Sequence, residues 1–255
     1  MKDFNIRIFS SLPIIFLASI SLYLKSYYLL FFISLIYFVI IYEWNYFFFK
    51  KNNYYIFLHL IIYLLIFISF YQNIYIFLFL NFLNFIFLLF NFLKNKLHYL
   101  YIVTNLYFYL SLYSILNILN INYYGLLLFI IFTVVIFDIS SYIFGNIFKG
   151  KKLIPKISPN KTLSGFLLGI IFTFIISSFL NKTFGLLNND YQYSLLILII
   201  FSAIIGDIIE SIIKRKLSLK DISNLLPGHG GFFDRFDSLL FVFIIINFTF
   251  SFIKN

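Results

Sequence analysis

Five of the nine Asp and Glu residues, and five of the 19 Lys and Arg residues, fall within the 33 positions Gly206–Ser238 of a chain that is only 11% charged. Asp207 and Glu210 close one apolar run; Asp234 and Asp237 open the next. Each pair is three residues apart and so shares a helical face. Ionisable residues at such helix ends are costly and usually functional. The 27 residues from Asp207 to Asp234 let the intervening chain fold back and bring the pairs together. Grouped carboxylates with no Cys and one nearby His, His229, suit a hard cation held through oxygen, namely Mg2+. Lys214, Arg215, Lys220 and Arg235 supply the charge a polyphosphate needs beside such a centre, where cations stabilise an in-line displacement. The turn Pro227-Gly228-His229-Gly230-Gly231 allows backbone amides to approach an anion closely.

A second polar segment follows Asp138, itself late in an apolar run. Its turn Ser158-Pro159-Asn160-Lys161-Thr162 offers hydroxyls and a cation suited to a nucleotide's ribose, base or phosphate. Glu43, before Trp44, fits two readings equally: a member of the site, or the cap of a helix. Lys149 and Lys216 read as topology signals, and His59 and His98 receive no role.

The elements that must carry these groups are membrane helices. The chain is 62% hydrophobic with a mean hydropathy of +0.99, too apolar for a soluble domain. Apolar runs at 8–24, 27–49, 54–71, 74–93, 99–119, 123–144, 166–180, 191–209 and 239–253 are mostly near the roughly 20 residues a span requires. Backbone groups in lipid must bond within their own segment, so an all-α polytopic protein of about nine transmembrane helices is expected. The first run is expected to be a retained helix and not a cleaved leader. With the N-terminus inside, the inner segments hold 16 of the 19 Lys and Arg, leaving Lys25, Lys182 and Lys254 outside. That bias is the one that orients membrane proteins, and it places both polar segments on the cytoplasmic side. The short basic loops belong to topology and anionic headgroups, so no nucleic-acid partner is expected. The chain reads as a single domain, 1–255, with its motifs in about 138–238.

These residues resemble the phosphatidate cytidylyltransferase (CDP-diacylglycerol synthase) family. Ser211, Lys214-Arg215, Lys220-Asp221, Pro227-Gly228-His229-Gly230-Gly231, Asp234-Arg235 and Asp237 stand at the family's spacings, with Gly206-Asp207 before them. Asp138, Tyr142, Gly145, Pro155, Ser158-Pro159, Lys161-Thr162 and Gly165 match a second block, and Glu43-Trp44 a shorter feature. The chain departs from the pattern at Ser140, Ser141, Leu163, Ser164, Ile222 and Asn224. The resemblance implies a multi-pass enzyme of the cell inner (plasma) membrane, a homodimer, with its active site facing the cytoplasm and membrane lipids around it. It implies that CTP and phosphatidate give CDP-diacylglycerol and pyrophosphate, with Mg2+ and a second, monovalent cation, K+. By the same match, Asp207, Asp234 and Asp237 would hold the metal. Lys214, Arg215, Lys220, Asp221 and Arg235 would be catalytic. Ser158, Lys161, Thr162, Ser211, Gly228, His229, Gly230 and Gly231 would bind substrate.

The nearest alternative is a CTP-dependent lipid kinase of the polyprenol or phytol type, which would release CDP. A transporter would carry its acids at mid-membrane in paired, interrupted helices. Here the acids gather at inner helix ends.

Overall fold

The computed structural model describes residues 16–23, 26–49, 53–72, 75–76, 79–84, 86, 98–120, 124–155, 157–187, 191–219, 221–223, 225–227 and 230–253. Among the candidate site residues, Lys220, Gly228 and His229 lie outside these, as do most of the first apolar run and Asn224 in the loop after Asp221. The principal helices are α1 (Ser26–Phe48), α2 (Asn53–Gln72), α3 (His98–Asn120), α4 (Tyr124–Phe148), α5 (Leu163–Phe184), α6 (Gln192–Lys216) and α7 (Phe233–Ile253). Residues 16–23 are helical too, as are the described residues between 75 and 86. Among the described residues, five helices are long and apolar enough to cross a membrane: Tyr28–Phe48, Tyr99–Leu119, Tyr124–Phe148, Leu163–Phe184 and Gln192–Lys216. The protein is therefore a helical, multi-pass membrane protein.

The chain forms two compact units, Met1–Tyr113 with Leu219–Arg235, and Ser114–Ser218 with Phe236–Asn255. In the first, α1 packs on α2. Its core is aromatic: Trp44 meets Phe108 edge-on at 5.8 Å and Phe233 at 5.6 Å, and Phe108 meets Phe233 at 5.1 Å. Edge-to-face contacts of this kind add to the area these rings bury. Two polar contacts cross this core, Tyr37 with Ser111 at 2.6 Å and the Tyr101 hydroxyl with Asn45 Oδ1.

In the second unit α4 lies along α5, and small residues explain how closely. Gly165, Gly169, Thr173, Ser177 and Asn181 recur every four residues and are all buried. A Cβ on Gly165 would collide with the Ser141 carbonyl oxygen and stand 2.9 Å from Gly145 Cα; one on Gly169 would stand 3.0 Å from Ser141 Cβ. Small residues let helix backbones approach where lipid offers no hydrophobic drive. Ser140 is accommodated at this seam by donating its hydroxyl to Phe137 O at 3.1 Å, with Gly169 O at 3.4 Å. Gly165→Val should therefore cost about 1–3 kcal/mol of overpacking strain. A lowered unfolding midpoint in detergent checks this, and an unchanged midpoint would contradict the seam.

Helix limits differ from the apolar runs where polar residues extend a helix beyond the oil. α4 continues through Gly145 to Phe148, and α6 runs seven residues past Ile209. α5 borrows flanking residues at both ends. Thr162 caps its start, accepting from Gly165 N at 3.2 Å, and Gly185 ends it at φ 58°, a left-handed conformation that glycine adopts readily. Between α4 and α5, where the sequence suggested only a compact turn, β1 (Lys152–Ile154) pairs antiparallel with β2 (Ser158–Thr162). The register shifts between Lys152↔Thr162 and Ile154↔Ser158, with two extra residues on β2.

Candidate functional site

In the second unit, α6 and α7 converge at a glycine. A Cβ on Gly206 would stand 2.9 Å from Phe241 Cβ and 3.1 Å from Asp237 O. The bare glycine thus lets the two backbones approach, and the residue after it, Asp207, comes beside Asp237. Asp207, Glu210 and Asp237 each present a carboxylate oxygen, all within 4.8 Å of one another. Glu210 is buried, and its spacing from Asp207 on α6 turns both toward the same point. The resemblance does not include Glu210; the residue types and the i, i+3 spacing from Asp207 mark it.

Cations and donors surround the acids. Lys161, at the end of β2, forms an ion pair with Asp207 Oδ2. Lys214 Nζ lies 2.5 Å from Glu210 Oε1, one helical turn away. Arg215 donates Nε–H to Ile157 O at 3.3 Å, which ties the hairpin to the end of α6. Ser211 Oγ donates to Asp207 Oδ1 at 3.5 Å. Ser158 opens β2 opposite Ile154. The hairpin brings Lys161 onto the acids, and the length of α6 places Lys214 and Arg215 on the same helix as Asp207.

Asp237 stands in the second turn of α7, ahead of the apolar run 239–253. Burial pushes its carboxyl well above the ordinary range. The Asp207 charge and then Asp138 add to this, while the Ser238 amide and Lys214 oppose it. Carboxylates this close resist joint ionisation unless a cation stands among them. Three converging oxygens, one of them on a buried Glu, fit a hard cation such as Mg2+.

The first unit carries the loop from Leu219 into α7. Leu226 and Gly230 bond to each other twice, at 2.9 and 3.1 Å, and Gly230 takes φ +83°. A Cβ on Gly230 would stand 3.0 Å from Asp234 Oδ2 and 3.4 Å from Asp221 Cγ, so the turn sits between these two acids. Asp234 Oδ2 accepts from Gly231 N at 2.9 Å and Ile222 N at 3.3 Å. Asp234 thus holds the loop through its amides, and the described metal-type cluster comprises Asp207, Glu210 and Asp237. Arg235 is exposed in the first turn of α7. Glu43 resolves toward the cap: its carboxylate accepts from Phe232 N at 3.2 Å and Phe233 N at 3.0 Å, and from the Ser223 hydroxyl. Unpaired amides at a helix start favour an anion.

Comparison with known proteins agrees with the motif resemblance. A model of the "Cytidylyltransferase family" matches residues 5–253. The phosphatidate cytidylyltransferase of Bacillus subtilis is 41% identical over 131 residues, 50% of this chain and 48% of that protein. That of Aquifex aeolicus is 40% identical over 140 residues, 54% of this chain and 52% of its own length. That of Helicobacter pylori is 39% identical over 117 residues, 45% and 43% of the two chains. The chain thus spans about half the length of the curated relatives it matches. With the family model covering nearly all of its length, the chain belongs to the cytidylyltransferase family.

Proposed function

We propose that the protein transfers the cytidylyl group of CTP to phosphatidate, giving CDP-diacylglycerol and pyrophosphate. An oxygen of the phosphatidate phosphate attacks the α-phosphorus of CTP. The new P–O bond forms as the bond to the α–β bridging oxygen breaks, and pyrophosphate leaves with that electron pair. The attacking group is already an anion, so no strong base is needed, and positioning and charge carry the catalysis. The observation that supports this reading best is the convergence of Asp207, Glu210 and Asp237 with Lys161 and Lys214 paired to them.

Asp207, Glu210 and Asp237 are the residues assigned to hold Mg2+, which would neutralise phosphate charge when bound. Asp234 remains a further candidate ligand, its carboxylate oriented by two loop amides. Lys161, Lys214, Arg215, Lys220 and Arg235 are assigned to phosphate oxygens, with Asp221 beside the Gly230 turn. Ser158 and Ser211 are assigned to substrate polar groups, and Thr162 acts through the start of α5. Gly228, His229, Gly230 and Gly231 are assigned to the phosphates of the substrate. K+ as a second ion, a homodimer, nine spans in a single domain and a cytoplasmic site at the inner membrane complete the proposal.

Inverted membrane vesicles containing the protein test function and sidedness together. External CTP with phosphatidate and Mg2+ should yield pyrophosphate and a cytidine-bearing lipid, and chelation should stop it. CDP as the product would transfer the reading to a lipid kinase, and activity only after vesicle rupture would overturn the cytoplasmic placement.

A further inference from the structure

Glu43 is 2% exposed, and a carboxylate so deeply placed must be compensated by donors. Its hydrogen-bond donors are Ser223 Oγ, Phe232 N and Phe233 N, all from the loop 180 to 190 residues further on. Next to it, Trp44 packs its indole on the Phe233 ring. Helix α1 thus offers the loop a paired dock: an anion for its amides and a ring for its aromatic. Gly231 lies against this dock so tightly that a Cβ would stand 2.5 Å from Glu43 Oε1 and 3.0 Å from Oε2. Asp234 closes the other side through Ile222 N and Gly231 N. Both ends of the loop, 222–223 and 231–233, are therefore tied to two carboxylates.

We propose that Glu43 is a positioning residue for nucleotide transfer: it holds residues 222–223 and 230–233, with the Gly230-Gly231 turn, in the shape that meets the phosphates of CTP. The proposal rests on the cytidylyl-transfer reading. A carboxylate is the wrong group to face a phosphate, so Glu43 acts through the amides it orders and not by contact. The glycine at 231 is explained by the same contact, since any side chain would drive the carboxylate off Phe232 N and Phe233 N.

The test uses the purified full chain as wild type, Glu43→Ala, Glu43→Gln, Gly231→Ala and the Glu43→Ala/Gly231→Ala double variant. Amide hydrogen exchange is read without nucleotide, and turnover is read with CTP, phosphatidate and Mg2+. Glu43→Ala should speed exchange at 222–223 and 230–233 about tenfold or more, since two or more hydrogen bonds are lost, with α4–α6 unchanged. Turnover should fall about a hundredfold. Glu43→Gln, which keeps one acceptor oxygen, should recover part of both. Gly231→Ala should be as damaging as Glu43→Ala alone, yet add little in the double variant, because the group it collides with is gone. Wild-type exchange at 222–223 and 230–233, additive effects in the double variant, or protection lost equally throughout the chain would each overturn the proposal. If Glu43→Ala fails to fold, Glu43→Gln carries the same measurement, and wild-type exchange in its loop is again the contrary result. Because exchange is read without substrate, a wild-type protein that forms no cytidine-bearing lipid would defeat the functional reading and leave the loop result separately decided.

Discussion

Asp237→Asn is expected to lower cytidylyl transfer by about a thousandfold while the protein remains folded in the membrane. The exchange is nearly isosteric, so the α6–α7 approach at Gly206 is kept. What disappears is one anionic oxygen of the three that lie within 4.8 Å of one another. Two carboxylates, each already paired to a lysine, are a poorer cradle for a divalent cation. The stability change should have the opposite sense. The Asp237 carboxyl is raised by burial and by Asp207, so the folded state binds its proton more tightly than the unfolded state does. Folding then loses stability as pH rises above the ordinary carboxylate range. A neutral Asn relieves that cost, and the unfolding midpoint at neutral pH without divalent cation should be equal to or above wild type. Retained turnover would remove Asp237 from the site; a much lower midpoint would show that the loss came from unfolding.

Gly206→Ala should lower turnover by about a hundredfold, the effect of a misplacement near 1 Å. The added methyl meets Phe241 Cβ at 2.9 Å and the Asp237 carbonyl oxygen at 3.1 Å. Neither neighbour is the free end of a flexible side chain, so α7 must move away from α6. Asp207 and Asp237 then separate, although neither has been changed. The expected signature is a raised Mg2+ requirement with partial recovery at high Mg2+. Asp237→Asn should not recover in this way. Wild-type Mg2+ dependence in Gly206→Ala would show that the close approach has no part in shaping the carboxylate cluster.

Much of the site could be read from residue types and spacing. Asp207 and Glu210 announce themselves as a carboxylate pair on one face of an apolar helix, and Lys214 lies one turn beyond Glu210. The long helices follow from unbroken apolar runs. The hairpin was hidden because Pro155 and Pro159 speak against strands, and only antiparallel pairing across a short turn lets the pattern form. The extension of α6 to Lys216 was hidden because hydropathy ends at Ile209, whereas hydrogen bonding continues through polar residues. Glu43 was undecidable from sequence because its partners lie 180 to 190 residues away, and no local period reports a contact at that distance. Asp234 resembles Asp237 in sequence and differs from it in what it holds. Its oxygen orders the amides of Ile222 and Gly231, whereas Asp237 joins Asp207 and Glu210. That distinction depends on the path of the loop, which residue types alone do not specify.

The reaction itself is tested most directly by following two labels from CTP. Purified protein is given phosphatidate and Mg2+ with CTP labelled in parallel reactions at the α- and γ-phosphorus. The α-label should enter the lipid phase, and the γ-label should appear wholly in pyrophosphate. A γ-label in the lipid with CDP released, or no transfer of either label, would contradict cytidylyl transfer to phosphatidate.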